Sequence, residues 1–149
     1  MSEQYLEDFV VGQKFGSGQL RLNKERIKSF AAEFDPQPFH LDEEIARGTI
    51  FHGLAASGWH TAAATMRLLV DSELRPVGGI VGVGFDELRW PRPTRPGNEL
   101  RVESEVLETR PSRSRPDQGL IKVRTTTFNQ DGEPVQVLVA TLLVPRRPT

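Results

Sequence analysis

The chain of 149 residues contains no cysteine. That excludes disulfide staples, thiolate metal sites and a cysteine nucleophile, and it fits a reducing compartment. An excess of one charge is also missing. Nineteen Lys and Arg stand against 20 Asp and Glu, for a formal net charge of −1, so no global field draws the chain to nucleic acid or to an anionic membrane. No apolar run approaches the roughly 20 residues that span a bilayer. The N-terminal MSEQYLEDF lacks the basic-then-apolar pattern of a signal peptide. Histidine is scarce: His40, His52 and His60 are the only three. None of them sits at metal-ligand spacing from another or from a carboxylate on a clear helix, so no metal or other cofactor is expected. The expectation is a soluble, cytoplasmic protein that binds neither nucleic acid nor membrane. Its length suits one domain able to bury a core without staples.

The stretch from Phe34 to Leu74 organises what is present. Its first half is a loop punctuated by Pro36 and Pro38 and carrying Asp35 and His40. Its second half is a nearly all-apolar helix beginning at Ser57-Gly58. From Trp59 to Val70 only His60, Thr61, Thr65 and Arg67 are clearly polar. Trp59, Ala62, Ala63, Met66, Leu69 and Val70 form a stripe, extended around the circumference by Ala64 and Leu68. Such a helix is expected to be surrounded rather than laid on a surface, with Ser57 as N-cap and Pro76 and Gly78-Gly79 ending it.

Before this stretch, residues 1–12 read as an arm turning at Gly12, and residues 13–22 as an edge strand. Asn23 reads as the N-cap of a three-turn helix whose face is Ile27, Phe30, Ala31 and Phe34. Pro36 ends it, because it disfavours helical geometry at Asp35. Residues 42–47 offer one further turn, acidic at its positive end and closed by Gly48.

After Gly79 the period changes to that of strands. In residues 80–90 Val81, Val83 and Phe85 share one parity and Leu88 and Trp90 the other, which predicts a bulge near Asp86. Leu100, Val102 and Val106 alternate with charged residues. Residues 110–119 read as a polar loop, and Asp131-Gly132 as a hairpin turn between 120–128 and 134–144. The last strand is apolar on both parities from Val137 to Val144, so it should be central or covered on both faces. Four long antiparallel strands and one apolar helix predict an α+β architecture, the sheet curling around the helix. The sheet edge left open invites a second copy of the chain.

Asp35 and His40 are five residues apart, roughly 16 Å if extended. They meet one small molecule only if the prolines bend the loop. A carboxylate beside a histidine orients the ring and makes a general acid/base pair. The plainer reading is a turn-capping Asp and a surface His. At Ser57-Gly58 the first helical N–H groups lack internal partners and can hold a developing oxyanion. Glycine there lets a substrate approach closely, or lets the helix pack tightly. Arg92, Arg95, Arg110, Arg113 and Arg115 form a basic stretch that either meets phosphates or is solvated loop charge.

The passages EDFVVGQKF, IKSFAAEFDPQPFHLDEEIA, FHGLAASGWHTAA and FDELRWPRPTRPGNELRVESEV resemble the MaoC-like dehydratases, which include the (R)-specific enoyl-CoA hydratases. The most specific parts are Asp35, Pro38, His40 and Asp42, then Pro93, Pro96, Gly97 and Asn98. The resemblance implies a hotdog fold over one domain, residues 1–149. It also implies a hydro-lyase adding water to a trans-2-enoyl thioester, and a homodimer that takes an acyl-CoA substrate. Asp35 and His40 would activate the water, and Gly58, with Ser57 beside it, would polarise the thioester carbonyl. Two departures stand out: Ser57-Gly58 where many members have His-Gly, and Gln37 where many have Asn. A hotdog thioesterase and a non-catalytic acyl-CoA-binding subunit are the alternatives.

Overall fold

The computed structural model describes residues 2–149. A single 3-10 turn at Leu6–Asp8 precedes strands β1 (Lys14–Gly16) and β2 (Leu20–Leu22). Helices α1 (Lys24–Phe34), α2 (Pro38–Leu41), α3 (Glu43–Arg47) and α4 (Gly58–Val70) follow. Strands β3 (Val81–Arg89), β4 (Asn98–Pro111), β5 (Gln118–Phe128) and β6 (Pro134–Pro145) complete the chain. The antiparallel sheet runs β1-β4-β5-β6-β3, with β2 also paired to β4. Helix α4 packs against β4 and β6 and is tied to β5 through Thr65 and Thr127. This is the α+β hotdog arrangement, a curled sheet with one long helix in its grip. One apolar cluster joins Leu6, Phe15 and Ile27 of the N-terminal part to Leu68 of α4 and to Leu100, Ile121 and Val144 of the sheet.

Local signals place most elements. Asn23 caps α1, its side chain accepting from Arg26 N–H at 2.9 Å. Asp42 caps α3 in the same way through Ile45 N–H, and Gly48 closes it. The β5–β6 turn carries Gly132 at φ +76°, a conformation that favours glycine. Strand β6 lies between β5 and β3 with no exposed residue, as its two-sided apolar pattern requires. The bulge at Asp86 is present, and a second one leaves Val83 unpaired between Gly82 and Gly84.

Several expectations need correction. Residues 13–22 are two three-residue strands rather than one. Ser17 Oγ accepts from Val102 N–H at 2.9 Å between them, taking a ladder position from the backbone. Residues 110–119 are less of a loop than their polarity suggests, because β4 continues to Pro111 and β5 starts at Gln118. Helix α4 stops at Val70, well before Pro76. Ser72 Oγ donates to Leu69 O at 2.7 Å and accepts from Leu74 N–H, which closes the helix locally. Phe34, expected inside, is 66% exposed, with its ring against Phe30 at 5.2 Å.

The largest correction concerns the face of α4. The buried side is Thr61, Ala64, Thr65, Leu68 and Leu69, whereas Trp59 (58%), Met66 and Val70 are exposed. Burial of the two threonines is tolerated because each hydroxyl has a partner: Thr61 with Thr94 at 2.9 Å and Thr65 with Thr127 at 2.6 Å. The exposed apolar side of α4 has a counterpart in the edge strand β3, where Val81, Val83 and Phe85 are exposed as well. No helix among the described residues is long and apolar enough to cross a membrane.

Candidate active site

Asp35 is the C-cap of α1, the point where Pro36 forces the chain out of the helix. Pro38 then occupies the first position of α2, where a missing N–H costs nothing. That one turn carries His40 back toward Asp35, so a segment that looked like a plain loop contains a helical turn. Asp35 Oδ2 and His40 Nε2 lie 3.3 Å apart. His40 is 4% exposed, which removes the reading of a surface histidine.

The ring of His40 is fixed from behind. Its Nδ1 lies 2.6 Å from Ala55 O. A carbonyl only accepts, so Nδ1 carries a proton and Nε2 is the ring nitrogen turned toward Asp35. Asp35 is fixed from both sides. Ser57 Oγ donates to Oδ2 at 2.7 Å and Gln37 Nε2 donates to Oδ1. Burial pushes the Asp35 carboxyl up, but the donors Ser57 and Gln37, with His40 beside them, outweigh it and hold the group below its ordinary 3.8. Asp35 is therefore an ionised acceptor at neutral pH.

Ser57 is fully buried, and its hydroxyl both binds Asp35 and accepts from Trp59 N–H at 3.3 Å as the α4 cap. The hydroxyl is thus engaged with the carboxylate rather than free for an oxyanion. Gly58 N–H, at the first position of α4, has no protein acceptor among the described residues. Asp35, His40 and Gly58 together wall one cavity of about 320 Å³, with Gln37, Phe39, Thr61, Trp90 and Arg92 among the other lining residues. The glycine also permits a close contact: a Cβ at Gly58 would lie 2.7 Å from Trp90 Cε2. Tight packing at Gly58 therefore involves an indole rather than the sheet backbone.

Two contributors escaped the sequence reading. Gln37 had registered only as a departure from the family pattern. Arg95 had been grouped with arginines that either meet phosphates or are solvated, yet its guanidinium turns inward. It donates to Gly53 O at 3.0 Å, to Leu54 O at 3.3 Å and to Phe51 O. It thereby holds the segment that ends in Ala55 O and Ser57. Of the five arginines only Arg92 walls the cavity, and it pairs with Glu133 at 3.3 Å. His52 is exposed, and His60 stacks on Phe30 at 4.5 Å. Neither lines the cavity.

This fold and site can be set beside known proteins. Residues 8–128 match the MaoC like domain family. The chain is 57% identical to the MaoC-like dehydratase of Rhodospirillum rubrum, with a TM-score of 0.94 over 98% of this chain and 99% of that one. It is 29% identical to the (R)-hydratase PhaJ1 of Pseudomonas aeruginosa, with a TM-score of 0.73 over 96% and 86% of the two chains. It is 35% identical over 125 residues to the uncharacterised protein YdeM of Bacillus subtilis, covering 84% of this chain and 87% of that one. With the family match over residues 8–128 and the hotdog sheet in agreement, the chain belongs to the MaoC-like dehydratase family, a hydratase/dehydratase family.

Proposed function

We propose that the protein is a hydro-lyase that adds water reversibly across a trans-2-enoyl thioester, with Asp35 and His40 as the groups that handle the water. The observation that carries this reading is the convergence of the Asp35 carboxylate, His40 Nε2 and an unpartnered helix-start N–H on one cavity. With the ring neutral, the carboxylate and the Nε2 lone pair are both acceptors, and a water has two hydrogens to give them. A water so held points its own lone pairs away, toward an enoyl unit lying in the cavity. His40 takes one proton as the oxygen bonds to the β-carbon. The electron pair of the double bond moves to the thioester oxygen, where the Gly58 N–H and the positive end of α4 stabilise it. Collapse of this enolate takes a proton at the α-carbon from the same face, returned by His40, and the net addition is one water. Asp35 orients the water and stabilises the imidazolium. Arg92 at the cavity wall is suited to a phosphate of coenzyme A.

The working unit is a homodimer. The exposed apolar side of α4 and the open edge of β3 form one continuous hydrophobic surface. A second copy would cover it and continue the sheet. The test is a hydration assay on crotonyl-CoA with Asp35→Asn and His40→Ala. Each should lower kcat by orders of magnitude while the circular dichroism spectrum stays that of the wild type. Hydration at the wild-type rate in both variants would refute the assignment. Release of free coenzyme A without hydration would point to a thioesterase instead.

A further inference from the structure

Beside the catalytic cavity lies a second one of about 290 Å³. It is bounded by Trp59, Met66 and Leu69 on α4 and by Phe85, Leu138 and Leu142 on the sheet. Its helical wall runs from Trp59 to Leu69, about 15 Å at the helical rise. Its shape and apolar lining suit an alkyl chain. The two cavities share Trp59 and are otherwise lined by different residues.

Between them stands a pair of side chains. Trp90 walls the catalytic cavity and Gln136 walls the apolar one, and Trp90 Nε1–H donates to Gln136 Oε1 at 2.9 Å. An indole N–H can only donate, so it fixes the amide with its oxygen toward Trp90. The other end of the amide, Nε2, is then left without a partner in a fully buried side chain. An apolar residue of similar size would avoid that orphan donor. What Gln136 supplies that a leucine would not is the tether on the indole. The ring is held from two more sides, by edge-to-face contact with Trp59 at 5.5 Å and by the bare Cα of Gly58. Trp90 itself follows β3 directly and is 39% exposed.

We infer that the Trp90–Gln136 pair is a partition that closes the catalytic cavity against the apolar one and so restricts the enzyme to short-chain enoyl thioesters. The inference rests on the hydratase reading. With the partition in place, the catalytic cavity holds roughly ten waters' volume, enough for the thioester head and a short acyl group. Moving the indole joins the two spaces and admits a longer chain.

The experiment is a hydration series on enoyl-CoAs of four to twelve carbons with the wild type, Trp90→Leu and Gln136→Leu. Binding of the matching saturated acyl-CoAs is followed by titration calorimetry. The wild type should favour the shortest acyl groups. Both variants should raise the ratio of long-chain to short-chain kcat/KM by about tenfold or more, since a few methylenes gain a pocket. Gln136→Leu keeps the ring and removes only its tether, so it covers the case in which loss of the ring disturbs folding. A wild type equally active on long and short chains would overturn the partition, as would variants with an unchanged ratio. If no chain is hydrated by the wild type, the hydratase reading fails. The partition is then judged by calorimetry alone, where the same shift toward longer acyl-CoAs is expected and its absence refutes it.

Discussion

Replacing Ser57 by alanine removes one hydroxyl and, with it, two distinct interactions. The oxygen donates to Asp35 Oδ2 at 2.7 Å and accepts from Trp59 N–H at 3.3 Å. A hydrogen bond to an ionised partner is worth about 1.5–3 kcal/mol, and a long cap bond at the low end of its range adds about 0.5 kcal/mol. Stability at neutral pH should therefore fall by about 2–3.5 kcal/mol, or about 4–14 °C in Tm for a chain of this size. The carboxyl should respond as well. Burial raises its pKa, and the Ser57 donor is the strongest of the groups that reverse this. Without the hydroxyl the Asp35 pKa rises. The sign of the pH effect follows. In the wild type the folded value lies below the unfolded 3.8, so the stability it contributes is complete above 3.8 and is lost as pH falls through the folded value. The stability gap between wild type and variant should be widest near neutrality and narrow below pH 3.8. Catalysis should lose about 10–100-fold in kcat, equivalent to about 1.4–2.7 kcal/mol of orientation, with little change in KM. Thermal melts at several pH values and the pH profile of crotonyl-CoA hydration measure all three effects. Wild-type kcat with an unshifted acid limb would refute a positioning role for Ser57.

Arg95→Leu leaves three carbonyls of residues 51–54 without their shared donor and should cost about 2–4 kcal/mol. Arg95→Lys, a point charge in place of a fork, should recover only part of the loss in both Tm and kcat. Gly58→Ala places a methyl 2.7 Å from the Trp90 ring. It should cost about 1–3 kcal/mol by overpacking and shift the intrinsic fluorescence, and an unaltered spectrum and Tm would contradict that close approach. Phe85→Lys puts a charge on the exposed β3 edge. Size-exclusion chromatography should then show a monomer where the wild type elutes as a dimer, and a monomeric wild type would count against the proposed surface.

Much of the site was legible because its parts are close in sequence and dictated by local chemistry. Pro36 must end a helix at Asp35, Asn23 and Ser57 are strong caps, and the bulge at Asp86 shows as a break in parity. What failed were judgements of which neighbour a side chain would find. Arg95 looked solvated because nothing in its own segment shows the three carbonyls waiting 41 to 44 residues earlier. Thr61 and Thr65 were left out of the apolar stripe of α4 because a hydroxyl's partner across the sheet leaves no mark in local periodicity.

The sequence by itself determined the α+β order of elements, a carboxylate and an imidazole on one short segment, and the absence of thiol chemistry. These follow from backbone restriction, periodicity and residue identity, which act within a few positions. Only the tertiary structure decided that His40 is buried with its Nδ1 on Ala55 O, that Ser57 and Gln37 keep Asp35 ionised, and that Trp90 lies over Gly58 between two cavities. Those depend on which distant segments share a few ångströms of space. That is settled by packing the whole sheet around α4, and no local pattern encodes it.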